Sequence, residues 1–257
     1  MNSKMVIKAT IIIAIAVAAI GISHLTLTSA QTSEEQAIPR IMSYTSYTEN
    51  NTVKFFVVVG EVKNNLTTNI KSVMVNATFY DEGNRVIGAS YSYTVLKILK
   101  PGQKVPFIIY WVLNSFTNIP NKTELTCACL KTSEQPITGI EISKQMNRID
   151  KEGYYIVSGE LHNNGTSKAS TVTVFCTCYD LKGNVMAVSH AHLPSIINVN
   201  DKTAFTVSSK PLKISPASHK LLIVANYEPP LHMRYPLLFI LALAFIIFIA
   251  YMKHRGW

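Results

Sequence analysis

The chain has 257 residues, 48% of them hydrophobic and 15% charged, and a formal net charge of +9. Setting aside Lys4, Lys8, Lys253 and Arg255 at the two ends leaves 20 basic against 15 acidic residues between Gln31 and Arg234, a net of +5. These charges are scattered, with no arginine-rich strip or interleaved aromatic platform, so a nucleic-acid footprint is excluded, while anionic lipid or an acidic envelope polymer stays compatible.

The chain opens with a basic segment, Met1 to Lys8, then an uncharged apolar run from Ala9 to Ile22, then the small residues Thr28-Ser29-Ala30. That order predicts a signal peptide or N-terminal anchor over residues 1–30. The run is shorter than the roughly 20 residues needed to span a bilayer, which favours cleavage. Gln31 to Gln36 forms a short polar spacer.

Short β-branched and aromatic runs follow, broken by Asn, Gly, Asp and Pro. The predicted strands of a first repeat, residues 38–131, are Phe55 to Val62, Ile70 to Tyr80, Val86 to Leu96, Lys104 to Val112 and Glu124 to Leu130. In the second of these Val73, Val75, Ala77 and Phe79 share one face, whereas Met74, Asn76 and Thr78 share the other. The polar, proline-bearing segment 132–138 (TSEQPIT) reads as a linker. A second repeat, residues 139–228, has runs at Tyr154 to Leu161, Ala169 to Tyr179, Val185 to His192, Lys202 to Ser208 and Lys220 to Tyr227. Such spacing without a helical period predicts two tandem all-β sandwiches. The uncharged run Pro236 to Met252 predicts a transmembrane helix over 235–252, and the basic tail at 253–257 favours a cytoplasmic C-terminus. The expected location is therefore the plasma membrane, single-pass, with most of the chain outside.

The two repeats share an offset. "GEVKNN" at Gly60 to Asn65 returns as "GELHNN" at Gly159 to Asn164, and Tyr80-Asp81 returns as Tyr179-Asp180, both displaced by 99 residues. The first repeat reads Ala77-Thr78-Phe79-Tyr80-Asp81, then Gly83-Asn84, then Pro101-Gly102 and Phe107. The second reads Cys176-Thr177-Cys178-Tyr179-Asp180, then Gly183-Asn184, then Phe205. Both resemble the FxLYD-type domain, an Ig-like β-sandwich of extracytoplasmic and membrane-anchored prokaryotic proteins, with an archaeal cell surface the expected setting. The resemblance implies a fold and a location and no reaction.

The chemistry of the chain centres on its cysteines. Cys127 with Cys129, and Cys176 with Cys178, each place two sulfurs on one strand face, with the first pair aligned to Ala225 and Tyr227 of the second repeat. They read as buried structural thiols or as disulfides within or between motifs. A sharper alternative joins Cys176 and Cys178 to His190 and His192 across the "DLKGN" hairpin as soft ligands for copper or zinc. Otherwise no cofactor is expected. Five acceptor sequons stand at Asn50, Asn65, Asn76, Asn121 and Asn164. Asp81 and Asp180 read as turn-formers, and no phosphate loop, zincin helix or nucleophile elbow is present, so the chain is expected not to be an enzyme. The reading is a surface-anchored binding, adhesion or envelope-scaffold protein with a protein or envelope polymer as partner. A copper or zinc accessory protein and a subunit of a larger membrane complex are the alternatives.

Overall fold

The computed structural model describes residues 38–50, 52–113, 118–212 and 214–227. The expected N-terminal segment and the C-terminal helix lie outside them, and among the described residues no helix is long and apolar enough to cross a membrane. The described chain is all-β, and every strand pairing is antiparallel.

The first repeat comprises β1 (Arg40–Asn50), β2 (Lys54–Lys63), β3 (Asn69–Tyr80), β4 (Val86–Tyr93), β5 (Ile98–Leu99), β6 (Lys104–Leu113) and β7 (Lys122–Thr132). One sheet has the order β1-β2-β6, and the other sets β4 and β5 on one side of β3 with β7 on its other side. The second repeat comprises β8 (Ile140–Ile149), β9 (Tyr154–Asn163), β10 (Ala169–Tyr179), β11 (Val185–His192), β12 (Lys202–Pro211) and β13 (Ser218–Tyr227). Its sheets, β8-β9-β12 and β11-β10-β13, reproduce the first pair, with an isolated bridge from Ala169 to Ile197 in place of β5. Even a backbone irregularity recurs, because Ser72 and Thr171 both take a left-handed φ where β3 and β10 bulge.

Each repeat is β-sandwich-like, two sheets closed over one core. Val73, Val75, Ala77 and Phe79 turn inward from β3, as the alternation predicts, and meet Phe56, Val58 and Val62 of β2 and Phe107 and Ile109 of β6. Full burial of such a side chain contributes roughly 1.5–3 kcal/mol. Val172, Val174, Cys176 and Cys178 of β10 fill the equivalent place, against Tyr155, Val157, Leu161, Phe205 and Val207. The repeated "GE" glycines have a packing cause. A Cβ on Gly60 would come within 2.6 Å of the Phe107 ring, and one on Gly159 within 2.8 Å of the Phe205 ring. The asparagine that follows in each motif is buried and structural. Asn64 donates to the carbonyls of Thr68 and Leu99, and Asn163 donates to those of Ser167 and Ile197.

β1 and β8 were not among the predicted strands. Both are edge strands whose sequences, RIMSYTSYTEN and IEISKQMNRI, carry too few apolar residues to signal burial, and register with β2 and β9 supplies their order. The hairpin after the Tyr-Asp pair also differs from the quoted alignment. The offset of 99 runs straight through it, so the left-handed residue is Asn84 in one repeat and Gly183 in the other. In both, the aspartate carboxylate ties the turn, Asp81 accepting from the Arg85 N–H and Asp180 from the N–H groups of Lys182 and Asn184.

The described strands belong to one compact unit, because the repeats share a third apolar cluster. Val57 and Val59, on the outer face of β2, pack with Val185 and Val188 of β11, flanked by Tyr47, Phe55, Ile108, Phe175 and Tyr179. β2 is consequently buried on both faces, which accounts for its unbroken Phe55-Phe56-Val57-Val58-Val59 run. Polar bonds frame the joint. Tyr179 Oη donates to the buried Glu61 carboxylate at 2.6 Å, the Val185 N–H donates to Ser43 Oγ at 2.9 Å, and the Lys210 ammonium lies over the Tyr47 ring. The segment after β7 is also held down, since Asn69 donates to the Glu134 carbonyl and Lys71 pairs with the Glu134 carboxylate.

Candidate functional site

All four cysteines lie among the described residues, and no disulfide joins any of them. Register places Cys127 opposite Val75, just as Ile223 stands opposite Val174 in the second repeat. The first cysteine pair therefore corresponds to Ile223 and Ala225, two residues short of the alignment expected from sequence. Cys127 and Cys129 pack in the first core, and Cys176 and Cys178 belong to the second, so a bond between the two motifs has no route. The Cys176 and Cys178 sulfurs stand 4.0 Å apart. Their mutual hydrogen bond and burial push the Cys176 thiol up, burial pushes Cys129 up to about 11, and it raises Cys127 as well. Such thiols are poor nucleophiles, because the thiolate is the reactive form.

The copper or zinc set is not brought together. Cys176 and Cys178 pair with Ser189 and Ala187, whereas His190 and His192 stand opposite Phe175 and Thr173. Since strand faces alternate, the sulfurs point into the core and the imidazoles point out. His192 Nδ1 is engaged with Thr173 Oγ1 at 2.8 Å, and the His190 ring packs on Phe175. Among the described residues no group of three or more His, Cys, Asp or Glu is placed to hold a metal ion.

A different histidine stands on the strand next to the thiols. His219 of β13 is the register partner of Cys178, and its Nδ1 lies 2.8 Å from Tyr155 Oη while its Nε2 lies 2.6 Å from Gln145 Nε2. Burial holds His219 below its ordinary value, and burial followed by the neighbouring Cys178 and Cys176 raises Tyr155. This polar bridge replaces an aromatic one. Phe79 stacks on Trp111 at 4.5 Å in the first repeat, and the corresponding residues of the second are Cys178 and Ser209, the latter accepting the Tyr155 N–H. Sequence reasoning missed Tyr155 and His219 because only strand pairing puts them beside each other.

A concavity lies elsewhere on the described chain. A cleft of about 800 Å³ runs between the repeats, lined by Lys71 to Val73, Tyr93 to Ile98, Glu134 to Ile137 and Ile223 to Tyr227. Its walls are mainly apolar, with Lys71, Lys97, Glu134, Gln135 and Asn226 among the polar side chains. That size and character fall in the range of ligand sites found at domain interfaces.

The sequons divide by position. Asn50, Asn65, Asn121 and Asn164 are exposed, and Asn65 and Asn164 occupy equivalent places after β2 and β9. The Asn164 amide donates to the Glu141 carboxylate. Asn76 is half-buried in the middle of β3, between Tyr91 and Thr126.

No family model matches the chain, and no curated protein matches it. Among solved structures, the chain is similar to red sea bream transglutaminase at 10% identity and a TM-score of 0.26, over 74% of this chain and 30% of that one. It is also similar to Bacteroides uniformis beta-glucuronidase 2 covalently bound to cyclophellitol-6-carboxylate aziridine, at 13% identity and a TM-score of 0.23, over 68% and 24%. A calcium-binding mutant of the same glucuronidase gives 16% and 0.21, over 65% and 23%. The chain spans less than a third of the length of each of these three chains.

Proposed function

We propose that the chain is a single-pass cell-surface protein whose two Ig-like, FxLYD-type sandwiches act as one rigid, outward-facing, non-catalytic binding or envelope-scaffold module. The observation that carries this reading is the joint. The shared cluster of Val57, Val59, Val185 and Val188, closed by the Tyr179 to Glu61 bond, turns two small domains into a stiff body with fixed outer faces. A flexible tether would have needed none of it, because an interface this apolar removes the relative motion that is the default between domains. The C-terminal apolar run supplies the lipid anchor, and an envelope polymer or protein supplies the partner. The side chains with chemical potential serve the fold instead: the thiols fill cores, the aspartates close turns, and the motif asparagines hold loops.

The test is protease treatment of intact cells expressing the full chain with a C-terminal tag. Removal of the sandwich region, leaving a short protected tagged fragment, is the expected result. A full-length chain that resists protease on intact cells and is cut after lysis overturns the reading.

A further inference from the structure

We infer that the cleft between the repeats is a strand-acceptor site, which takes an extended peptide carrying alternate apolar side chains and a carboxylate. The inference rests on the binding-module reading and names the partner class. One wall is made by five consecutive residues of β13, Ile223 to Tyr227. Consecutive strand residues point alternately to opposite faces, so a cavity that touches all five touches the strand along its edge. β13 ends its sheet, in the order β11-β10-β13, and pairs only with β10 among the described residues. Every second residue therefore turns its N–H and C=O away from β10, and such an edge pairs readily with another strand. Five residues give about 16 Å of edge at roughly 3.3 Å each, enough for a short peptide.

The facing wall explains the choice of side chains. Tyr93, Val95, Leu96 and Ile98 with Pro136 and Ile137 offer an apolar surface. Ile137 is 71% exposed and adds to this apolar wall. Lys71 is neutralised by Glu134, while Lys97 has no ion pair among the described residues, so the lining carries one surplus positive charge. A carboxylate on the peptide complements it. In the first repeat the matching strand, β7, is met instead by β1 and its lead-in, Cys127 donating to the Pro39 carbonyl and Tyr44 to the Thr123 carbonyl.

The experiment is selection of displayed twelve-residue peptides on the detergent-solubilised full chain, followed by hydrogen exchange of β13 with and without the selected peptide. Expected are peptides that alternate apolar residues with at least one Asp or Glu, and that slow exchange at alternate amides from Ile223 to Tyr227. Binding should weaken at least tenfold with Lys97→Glu and with Ile137→Asp, both exposed positions whose exchange leaves folding intact. If no peptide family is enriched, or if enriched peptides ignore both variants and protect amides elsewhere, the strand-acceptor site is overturned; in the second case surface binding itself survives. A co-purified lipid in native mass spectra, lost with Ile137→Asp, would assign the cleft to an acyl chain and overturn the peptide. Protease resistance on intact cells, by contrast, removes the surface reading and not the cleft.

Discussion

The face of the second repeat that docks, and the same face of the first repeat, which does not, differ at a handful of positions. Phe175, Val188 and Leu222 contribute apolar surface at the joint, and their counterparts by register are Asn76, Ala89 and Thr126. The partner surface shows the same contrast in reverse. Val59, Ile108 and Tyr110 of the first repeat correspond to Ser158, Thr206 and Ser208 of the second. Duplication yields two copies of each face, and an unedited pair would go on stacking from chain to chain as a heterologous contact. Polar residues on the two outer copies end the stack, as capping repeats do in solenoids.

One charge exchange sits at the centre of this difference. In the first repeat Tyr80 donates to Glu124 of its own sheet at 2.8 Å. In the second, the residue in the place of Glu124 is Lys220, which reaches the Lys104 carbonyl, and Tyr179 instead finds its carboxylate at Glu61 across the joint. The same tyrosine is thus an exposed ornament of one turn and a bolt in the other.

The contrast can be broken most severely at the shared cluster. Val59→Asp buries an unpaired charge and should cost about 3–5 kcal/mol, splitting one denaturant transition into two, whereas Ser158→Asp at the matching free position should cost about 1 kcal/mol or less. Equal losses for the two would refute a docked joint. Next in size, Phe79→Ala should destabilise by about 3–5 kcal/mol, because it empties the Trp111 stack. Its counterpart Cys178→Ala removes a single sulfur and should cost visibly less in the same urea titration.

Tyr179→Phe leaves the buried Glu61 carboxylate without its donor and should cost about 1.5–3 kcal/mol, against no measurable change for Tyr80→Phe. Conversely, the pair Asn76→Phe with Thr126→Leu restores the sticky residues to that face of the first repeat, and sedimentation should then reveal more self-association than in the parent chain. The smallest effect is that of acid. Asp81 is held low by the Arg85 backbone and side chain, and Asp180 by the Asn184 backbone N–H. Each lowered carboxyl therefore contributes fully above its ordinary value of 3.8, and the contribution fades as pH falls through the folded value. Asp81→Asn and Asp180→Asn should flatten the acid limb of stability in similar measure.

The all-β class, the doubled plan and the inward face of β3 were legible because each rests on local signals, a period of two and a repeated motif. What stayed hidden depends on pairing across long distances. β1 and β8 draw their order from a neighbour, so their own sequences say little. The Cys127 alignment slipped because only register, and not similarity, relates β7 to β13. The joint itself had one visible trace, the five-residue apolar run of β2 against Tyr154-Tyr155-Ile156-Val157-Ser158 in β9. An unbroken run means burial on both faces, and the second repeat interrupts it where solvent returns. The His190 and His192 set looked plausible in one dimension, and the hairpin register, which a single bulge at Cys178 to Tyr179 adjusts, assigns them to the other side.

The placement of the thiols gives the molecule two internal clocks. Cys129, Cys176 and Cys178 lie buried in the cores of their own halves while Cys127 is half-buried, so an alkylating reagent reaches the three buried sulfurs only while the half that holds them is open. The order in which mass spectrometry finds label on Cys129, or on Cys176 and Cys178, therefore records which half breathes first. Cutting the bolt at Tyr179 should let the two clocks run at separate rates.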